Sequence, residues 1–109
     1  MEKSKIIISK EVVDDLNQLV KTLFYEDYFT FESSAQMYVS HIYDFLEFDL
    51  INFPHKSTPK NLKKLGSYYA FYKANSSTTW FVFFEKYESE IFIKYLTNNH
   101  NGEIKHLNV

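Results

Sequence analysis

The spacing of hydrophobic residues changes at Pro54, and this change limits the folds open to the chain. Before Pro54 the apolar residues recur at helical intervals, and after it they occur in short runs separated by turn residues. Proline cannot continue a helix and biases the residue before it towards extended backbone, so a helix has to end by Phe53. We therefore expect a helical first half and a sheet-forming second half within one domain, residues 1–109.

One strand and two helices are predicted before Pro54. The β-branched run at residues 6–8 is typical of a buried strand, and Ser9 is a helix N-cap. The first helix is expected to fade at residues 25–28. Ser33 and Gln36 have the spacing of a capping box at the start of the second helix. The apolar stripes of the two helices are Val12, Leu16, Leu19, Val20 and Leu23 in the first, and Ala35, Tyr38, Val39, Ile42, Phe45 and Leu46 in the second.

Three strands are predicted after a basic connection at residues 54–65, namely 67–74, 78–86 and 91–97. The middle one is apolar on both faces, which is typical of a central strand. In the last one, strict alternation would put Ile91, Ile93 and Tyr95 on one face, and Phe92, Lys94 and Leu96 on the other. A polar tail follows Asn98. The order β-α-α-β-β-β predicts an α+β fold, in which a two-helix hairpin packs on a mostly antiparallel four-stranded sheet.

The composition excludes several classes of protein. Aromatic residues make up 19% of the chain, with only two Gly and two Pro, so we expect a dense core with few loops. No cysteine is present, which excludes a disulfide framework and a thiol nucleophile. No apolar run reaches the roughly 18 residues of a membrane span, and the N-terminus lacks a signal-peptide core, so a cytoplasmic location is expected. The four histidines lack metal-ligand spacing, and neither a metal nor a cofactor is expected.

Charge is unevenly distributed along the chain. Residues 1–53 carry a net charge of −6, whereas residues 54–84 carry five lysines and no acidic residue. A basic segment of this kind is typical of a phosphate-binding surface or of a surface that meets an acidic partner; the alternative is a solvated loop. All twelve basic residues are lysines. Without arginine, no site can hold a phosphate by a planar, bidentate guanidinium.

Short segments in the predicted order of elements carry a family resemblance. They are Ile7-Ile8-Ser9, Glu32-Ser33-Ser34-Ala35, Phe53-Pro54-His55-Lys56, Leu62 to Tyr69, Tyr72-Lys73-Ala74-Asn75, Thr78 to Glu85 and Asn98-Asn99-His100. Together they resemble the RelE/ParE toxin family of toxin–antitoxin modules, in its plasmid-stabilisation branch, from Ile6 to His100. The resemblance implies a small bacterial cytoplasmic protein that arrests growth and is held inactive by a cognate antitoxin.

Members of that family differ in activity. Some cut messenger RNA on the ribosome without a metal, and others poison DNA gyrase without chemistry of their own. The fold alone does not determine which of these two targets a member of the family acts on. The resemblance therefore implies a toxin that acts by ribosome-dependent mRNA cleavage or by gyrase poisoning, and the alternative is a catalytically inactive, toxin-like interaction module.

Metal-free RNA cleavage needs a base for the 2′-hydroxyl, an acid for the leaving oxygen, and cations for the charged phosphorane. The nucleases of the family use Arg, Lys and Tyr or His for these roles. In this chain Ser77, Trp80 and Asn101 stand where family members often have Arg. The substitutes available are Lys73 and Lys94 for positive charge, His100 as the acid or base, and a tyrosine for stacking or proton transfer. The predicted catalytic residues are Lys73, Lys94, His100 and Tyr69, with Tyr68 and Tyr95 as further tyrosines.

The other lysines suit binding better than chemistry. Lysines can hold phosphate as point charges without a shifted pKa. The predicted phosphate- or partner-binding residues are Lys56, Lys60, Lys63 and Lys64. The family resemblance implies an antitoxin tail that covers the basic segment, and we expect such a partner to contact the chain between Pro54 and Lys73.

Overall fold

The computed structural model describes residues 5–25, 32–104 and 107 of the chain. Its regular elements are β1 (Lys5–Ile8), α1 (Lys10–Tyr25), α2 (Glu32–Asp44), β2 (Lys56–Ser57), β3 (Tyr68–Lys73), β4 (Thr79–Tyr87) and β5 (Glu90–Asn98). After α2 the chain continues through a π turn, Phe45–Asp49, and a short 3₁₀ helix, Leu50–Asn52. Two further 3₁₀ helices are Lys60–Leu65 and Gly102–Ile104. The helical stretch that begins with α2 thus ends at Asn52, before Pro54, as the sequence predicts.

The strands form one open sheet in the order β1-β5-β4-β3-β2. β1 runs parallel to β5, and the other three pairs are antiparallel. The predicted α+β class is confirmed, and so is the central place of β4. The prediction of a four-stranded sheet is wrong, because Lys56 and Ser57, inside the predicted connection, pair with Tyr69 and Tyr68 as a fifth strand.

The two helices cover one face of this sheet. Ser9 begins α1 as predicted: its Oγ accepts a hydrogen bond from the Val12 N–H at 3.3 Å. The side chain of Ser33 lies outside the described residues, and so does that of Leu23. Trp80 donates its indole N–H to the Tyr38 hydroxyl at 2.9 Å, which ties β4 to α2. The core under the helices contains Val12, Leu16, Val39, Ile42, Phe45, Leu46, Leu50, Ala70, Trp80, Val82, Phe84, Ile91, Ile93 and Leu96.

A second, smaller core lies on the opposite face of the sheet. It consists of Leu62, Tyr69, Phe81, Phe83 and Ile104, with partly buried Leu65, Phe71, Tyr95 and Leu107 around it. The 3₁₀ helix at Lys60–Leu65 and the one at Gly102–Ile104 supply its cover. The prediction of a plain basic connection is therefore incomplete, and the tail after Asn98 is not wholly polar, since Ile104 is only 1% exposed.

A bulge in β5 changes which of its side chains share a face. Phe83 pairs with Tyr95 and Phe84 pairs with Ile93, so Lys94 is an extra residue between them. Leu96 consequently joins Ile91 and Ile93 under the helices, and Tyr95 lies with the second core. The face assignment by strict alternation is wrong beyond this point, because one inserted residue reverses every side chain that follows.

Gly66 brings the 3₁₀ helix Lys60–Leu65 back onto the sheet. Its φ is +157°, and a Cβ added there would lie 2.6 Å from the backbone nitrogen of Phe84 and 2.9 Å from the carbonyl carbon of Phe83. Both atoms belong to the backbone of β4, so they cannot move aside as the end of a side chain can. Glycine is required at this position by the close approach of two backbone segments.

We expect Gly66→Ala to lower the free energy of unfolding by about 2 kcal/mol or more, because the new methyl group overpacks against β4. The measurement is urea unfolding followed by circular dichroism. Gly102→Ala is the matched control: a Cβ there meets no atom within 4 Å, and its effect should stay within about 0.5 kcal/mol. Equal stability of the two variants would contradict the assigned role of Gly66.

Candidate functional site

Polar side chains organise one end of the sheet, where β3 turns into β4. The Asn75 side-chain oxygen accepts hydrogen bonds from the backbone N–H groups of Ser77 and Thr78, both at 2.9 Å, and from the Ser77 hydroxyl at 3.0 Å. The Ala74 N–H donates to the Thr78 carbonyl at 3.0 Å and closes the turn. An Asn that accepts from the residues following it is a standard way to fix a turn. This turn is therefore held in shape although it is exposed.

The chain after β5 is joined to the same turn. Asn99 accepts a hydrogen bond from the Thr79 N–H at 3.0 Å and donates its side-chain amide to the Ser77 carbonyl at 3.1 Å. The neighbouring His100 is exposed. Its backbone N–H donates to the Asn98 side chain at 3.0 Å, and its Nε2 lies 3.4 Å from the Thr78 hydroxyl. These contacts hold the His100 imidazole at the edge of the turn, open to solvent.

Lys73 ends β3 at this same end of the sheet. It is exposed and pairs with Thr79, which in turn is hydrogen-bonded to Asn99. Adjacent strands lie about 4.8 Å apart, so the backbones of Lys73 and His100 are separated by roughly two strand spacings, about 10 Å.

The other two predicted catalytic residues lie elsewhere. Tyr69 is 3% exposed and packs against Phe81 and Phe83 in the second core. The Lys94 ammonium lies 3.8 Å from the Glu85 carboxylate, which also accepts a hydrogen bond from the Ser67 N–H. Both residues lie beside Phe83 of β4. Phe83 is four residues from Thr79, so about 13 Å along the strand separates this pair from the end of the sheet that carries Lys73. The structure thus places Lys73 and His100 at the same end of the sheet, and Tyr69 and Lys94 nearer its middle.

The four lysines predicted to bind phosphate or a partner are all exposed. Lys56 lies on β2 at the edge of the sheet, and Lys60, Lys63 and Lys64 lie on the 3₁₀ helix that follows. Lys64 pairs with Glu103 at 3.3 Å, but both side chains are more than half exposed, so water screens the pair and it contributes little to stability. The segment buries Leu62 and directs its charges outwards.

An open stretch of sheet edge lies beside this basic segment. β2 pairs only with Tyr68 and Tyr69, so the hydrogen-bonded ladder of this strand pair stops short of Phe71 and Lys73. Because Ala74 bonds to β4, alternation turns the backbone N–H and C=O groups of Phe71 and Lys73 away from β4. Two unpaired residues of this kind can pair with a strand from another chain. Strand prediction missed this edge, because a two-residue β2 has no periodicity to detect.

Aromatic side chains pack against the β3 residues of the open edge. The Phe53 ring packs edge-on to Phe71 at 5.4 Å and to Phe45 at 5.2 Å, and Tyr72 stacks on Phe45 at 5.3 Å. Burial raises the pKa of Tyr72 above its ordinary value, and the charges of nearby acidic groups add to this. Tyr72 is therefore a neutral hydroxyl at physiological pH.

Comparison with known proteins identifies no relative: no protein-family model, no curated protein and no solved structure matches the chain. Within the described ranges, no helix is long and apolar enough to cross a membrane. The residues that the structure describes also contain no group of His, Cys, Asp or Glu side chains able to hold a metal ion. The site therefore has to be interpreted from its own geometry.

We expect Asn99→Ala to loosen the end of the sheet, because it removes the acceptor of the Thr79 N–H and the donor to the Ser77 carbonyl. The loss should be about 1 kcal/mol, with faster hydrogen exchange at Thr79 measured by NMR. Ser76→Ala, in the same turn, is the control and should leave that exchange unchanged. If Thr79 exchanges at the wild-type rate in Asn99→Ala, the side-chain bridge does not hold the turn.

Proposed function

We propose that this chain is the toxin of a bacterial toxin–antitoxin module and that it acts on RNA at the end of the sheet that carries His100 and Lys73. The observation that carries the proposal is the placement of an exposed imidazole and an exposed ammonium on either side of one hydrogen-bonded turn. The resemblance of the sequence to the RelE/ParE toxins, and the α+β arrangement of helices on one sheet face, support it.

The chemistry available at this end is metal-free cleavage by the RNA's own 2′-hydroxyl. His100 can accept the 2′-hydroxyl proton as that oxygen attacks the phosphorus, and solvent water at this exposed end can protonate the departing 5′-oxygen, which leaves a 2′,3′-cyclic phosphate. Lys73 supplies a positive charge for the phosphate oxygens as they gain negative charge. Both residues are exposed and can therefore reach an RNA. The lysine supplies the positive charge that nucleases of the family take from arginine.

Tyr69 and Lys94 have no such role in this proposal. Tyr69 is covered by the second core and cannot stack on a base while that core is intact. Lys94 lies beside Glu85, whose carboxylate offsets its charge. The catalytic set that we propose is therefore smaller than the set expected from the sequence.

We expect the wild-type chain to arrest growth when it is expressed alone and to cause cleavage of messenger RNA in a translating extract. His100→Ala should lower the cleavage rate at least 100-fold, the usual effect of losing a proton-transfer group. Lys73→Ala should lower it as well, and Lys73→Arg should retain activity because the charge is kept. Lys86→Ala, an exposed lysine towards the other end of β4, is the control.

Other results of the same experiment point to other functions. Growth arrest with intact messages and lost supercoiling activity would indicate a gyrase poison. Growth that is normal at every expression level would indicate an interaction module without toxicity. If His100→Ala cleaves at the wild-type rate, His100 has no catalytic role.

A second candidate function, partner binding without catalysis, is favoured by the open edge of β3 beside the basic segment. An extended segment of a partner can pair with Phe71 and Lys73, and acidic side chains on it would meet Lys56 and Lys60. For a toxin, the natural occupant is the antitoxin tail; for an inactive module, it is any acidic partner. Both functions thus use the same edge.

We expect reversal of Lys60 and Lys63 to Glu to weaken binding of the co-encoded antitoxin, mainly through slower association, and to flatten its salt dependence. Both residues are exposed, so the free energy of unfolding should change by no more than about 0.5 kcal/mol. The measurement is surface plasmon resonance at two salt concentrations. The matched control is the substitution of Lys10 and Lys21 by Glu. Both lysines are exposed, and both belong to α1 and not to the sheet edge. Equal effects of the two double variants would show that only net charge matters.

A further inference from the structure

The dipeptide Asn101-Gly102 has no part in the function proposed above. An asparagine followed by a glycine places an electrophile, the side-chain amide carbon Cγ, next to a nucleophile, the backbone nitrogen of the next residue. Attack of this nitrogen closes a ring of five atoms, and a side chain on the second residue hinders it. Gly102 has no side chain, and a Cβ placed there would meet no atom within 4 Å. The space around Gly102 is therefore open.

A hydrogen bond folds the Asn101 side chain back over its own following peptide. Its Oδ1 accepts the backbone N–H of Glu103 at 2.9 Å, which closes an Asx turn. The ring of atoms closed by this bond contains both Cγ and the Gly102 nitrogen, so the bond keeps the two close together. Gly102 is the first residue of its 3₁₀ helix, and no described residue accepts its N–H. The nucleophile is thus not held by a hydrogen bond of its own.

Two contacts of the Asn101 amide favour displacement at its carbon. The Glu103 N–H donates to Oδ1, the oxygen that gains negative charge when Cγ becomes tetrahedral, and so stabilises that charge. The amide nitrogen Nδ2 donates to the Thr97 hydroxyl oxygen at 3.2 Å, so a hydroxyl lies beside the nitrogen that leaves. Asn101 is half-buried and Gly102 is exposed, so water and hydroxide reach the turn.

Asn75 provides a comparison within the same chain. Its Oδ1 accepts the Ser77 N–H at 2.9 Å, which is the same kind of bond as that of Asn101. The residue that follows Asn75 is Ser76, however, and its side chain hinders attack by its nitrogen. Asn101 is the only asparagine in the sequence that a glycine follows. The two turns therefore share the polarised amide and differ in the access to the nucleophile.

We propose that Asn101 is a site of spontaneous covalent modification, at which the chain converts its own asparagine into aspartate and isoaspartate. Hydroxide removes the Gly102 N–H proton, and the nitrogen forms a bond to Cγ. The bond from Cγ to Nδ2 then breaks, and ammonia leaves with a proton from water, which gives a cyclic imide. Water opens the imide at either carbonyl. Opening at Cγ gives aspartate, and opening at the backbone carbonyl gives isoaspartate. The modification is independent of the function proposed above.

The isoaspartate product changes the cover of the second core. It adds one methylene group to the backbone before Gly102, and it turns the Asn101 carbonyl that accepts the Ile104 N–H at 3.2 Å into a free carboxylate. Ile104 is only 1% exposed, so a displaced backbone cannot keep its close packing. The aspartate product keeps the backbone and loses only the amide donor to Thr97. We therefore expect the isoaspartate form to unfold at a lower urea concentration than the unmodified chain.

The test is incubation of the purified full chain at neutral pH for several weeks, followed by peptide mapping with mass spectrometry. Labelling by a protein isoaspartate methyltransferase identifies the isoaspartate product. Modification is expected at Asn101 and should become faster as the pH rises, because hydroxide takes the first proton. Gly102→Ala should slow it at least tenfold, since the new methyl group hinders attack. This variant keeps the fold, because its Cβ meets no atom within 4 Å. Asn75, in the same sample, should also react at least tenfold more slowly.

A second arm separates the contribution of the fold from that of the dipeptide. The chain unfolded in guanidinium chloride keeps Asn101-Gly102 but loses the Asx turn and the Thr97 contact. We expect Asn101 to react in the folded chain at least as fast as in the unfolded chain, with circular dichroism to check that the folded sample stays folded. Three results would each overturn the proposal: an unmodified Asn101, equal rates in the wild type and Gly102→Ala, or a slower reaction in the folded chain.

Discussion

The burial of β4 on both of its faces is the requirement on which the rest of the structure depends. Val82 and Phe84 face the helices, whereas Phe81 and Phe83 face the other side. Removing a phenylalanine side chain from water contributes about 2–3 kcal/mol, so leaving either face open would forfeit a large part of the stability of a small domain. The sheet therefore needs two covers. The helical hairpin is one, and the 3₁₀ helices at 60–65 and 102–104 form the other.

The second cover is small, and its size decides which surfaces are left for function. Residues 60–65 bury Leu62 while keeping their lysines in solvent, so one segment serves the core and carries the basic surface. Gly66 lets this segment approach β4 closely, and β2 is only two residues long, which leaves the β3 edge beyond Tyr69 unpaired. The same cover buries Tyr69, so this tyrosine is not accessible for the base stacking or proton transfer that its residue type suggested.

Hydrophobic periodicity predicts an element well where the burial of each residue depends on residues that are close to it in the sequence. The cap at Ser9, the stripe of α2 and the central place of β4 are of this kind, and the structure agrees. Three features depend instead on distant contacts: the bulge at Lys94, the pairing of Lys56 with Tyr69, and the burial of Ile104. No local pattern encodes a bulge, and two residues cannot show a period. For the site, Lys73 and His100 are exposed, but residue type alone could not tell a buried tyrosine such as Tyr69 from an accessible one.

The separation of charge along the chain becomes a separation of surfaces in the fold. The described acidic residues of the first half, such as Asp14, Asp44 and Asp49, are exposed on the helical layer, while the lysines of residues 54–84 lie along β2, β3 and the segment between them. An anionic ligand is attracted to the second surface and repelled from the first. The net charge of −2 conceals this division. Because the two surfaces differ in sign, an RNA or an acidic peptide is directed to the sheet side of the domain and away from the helical layer.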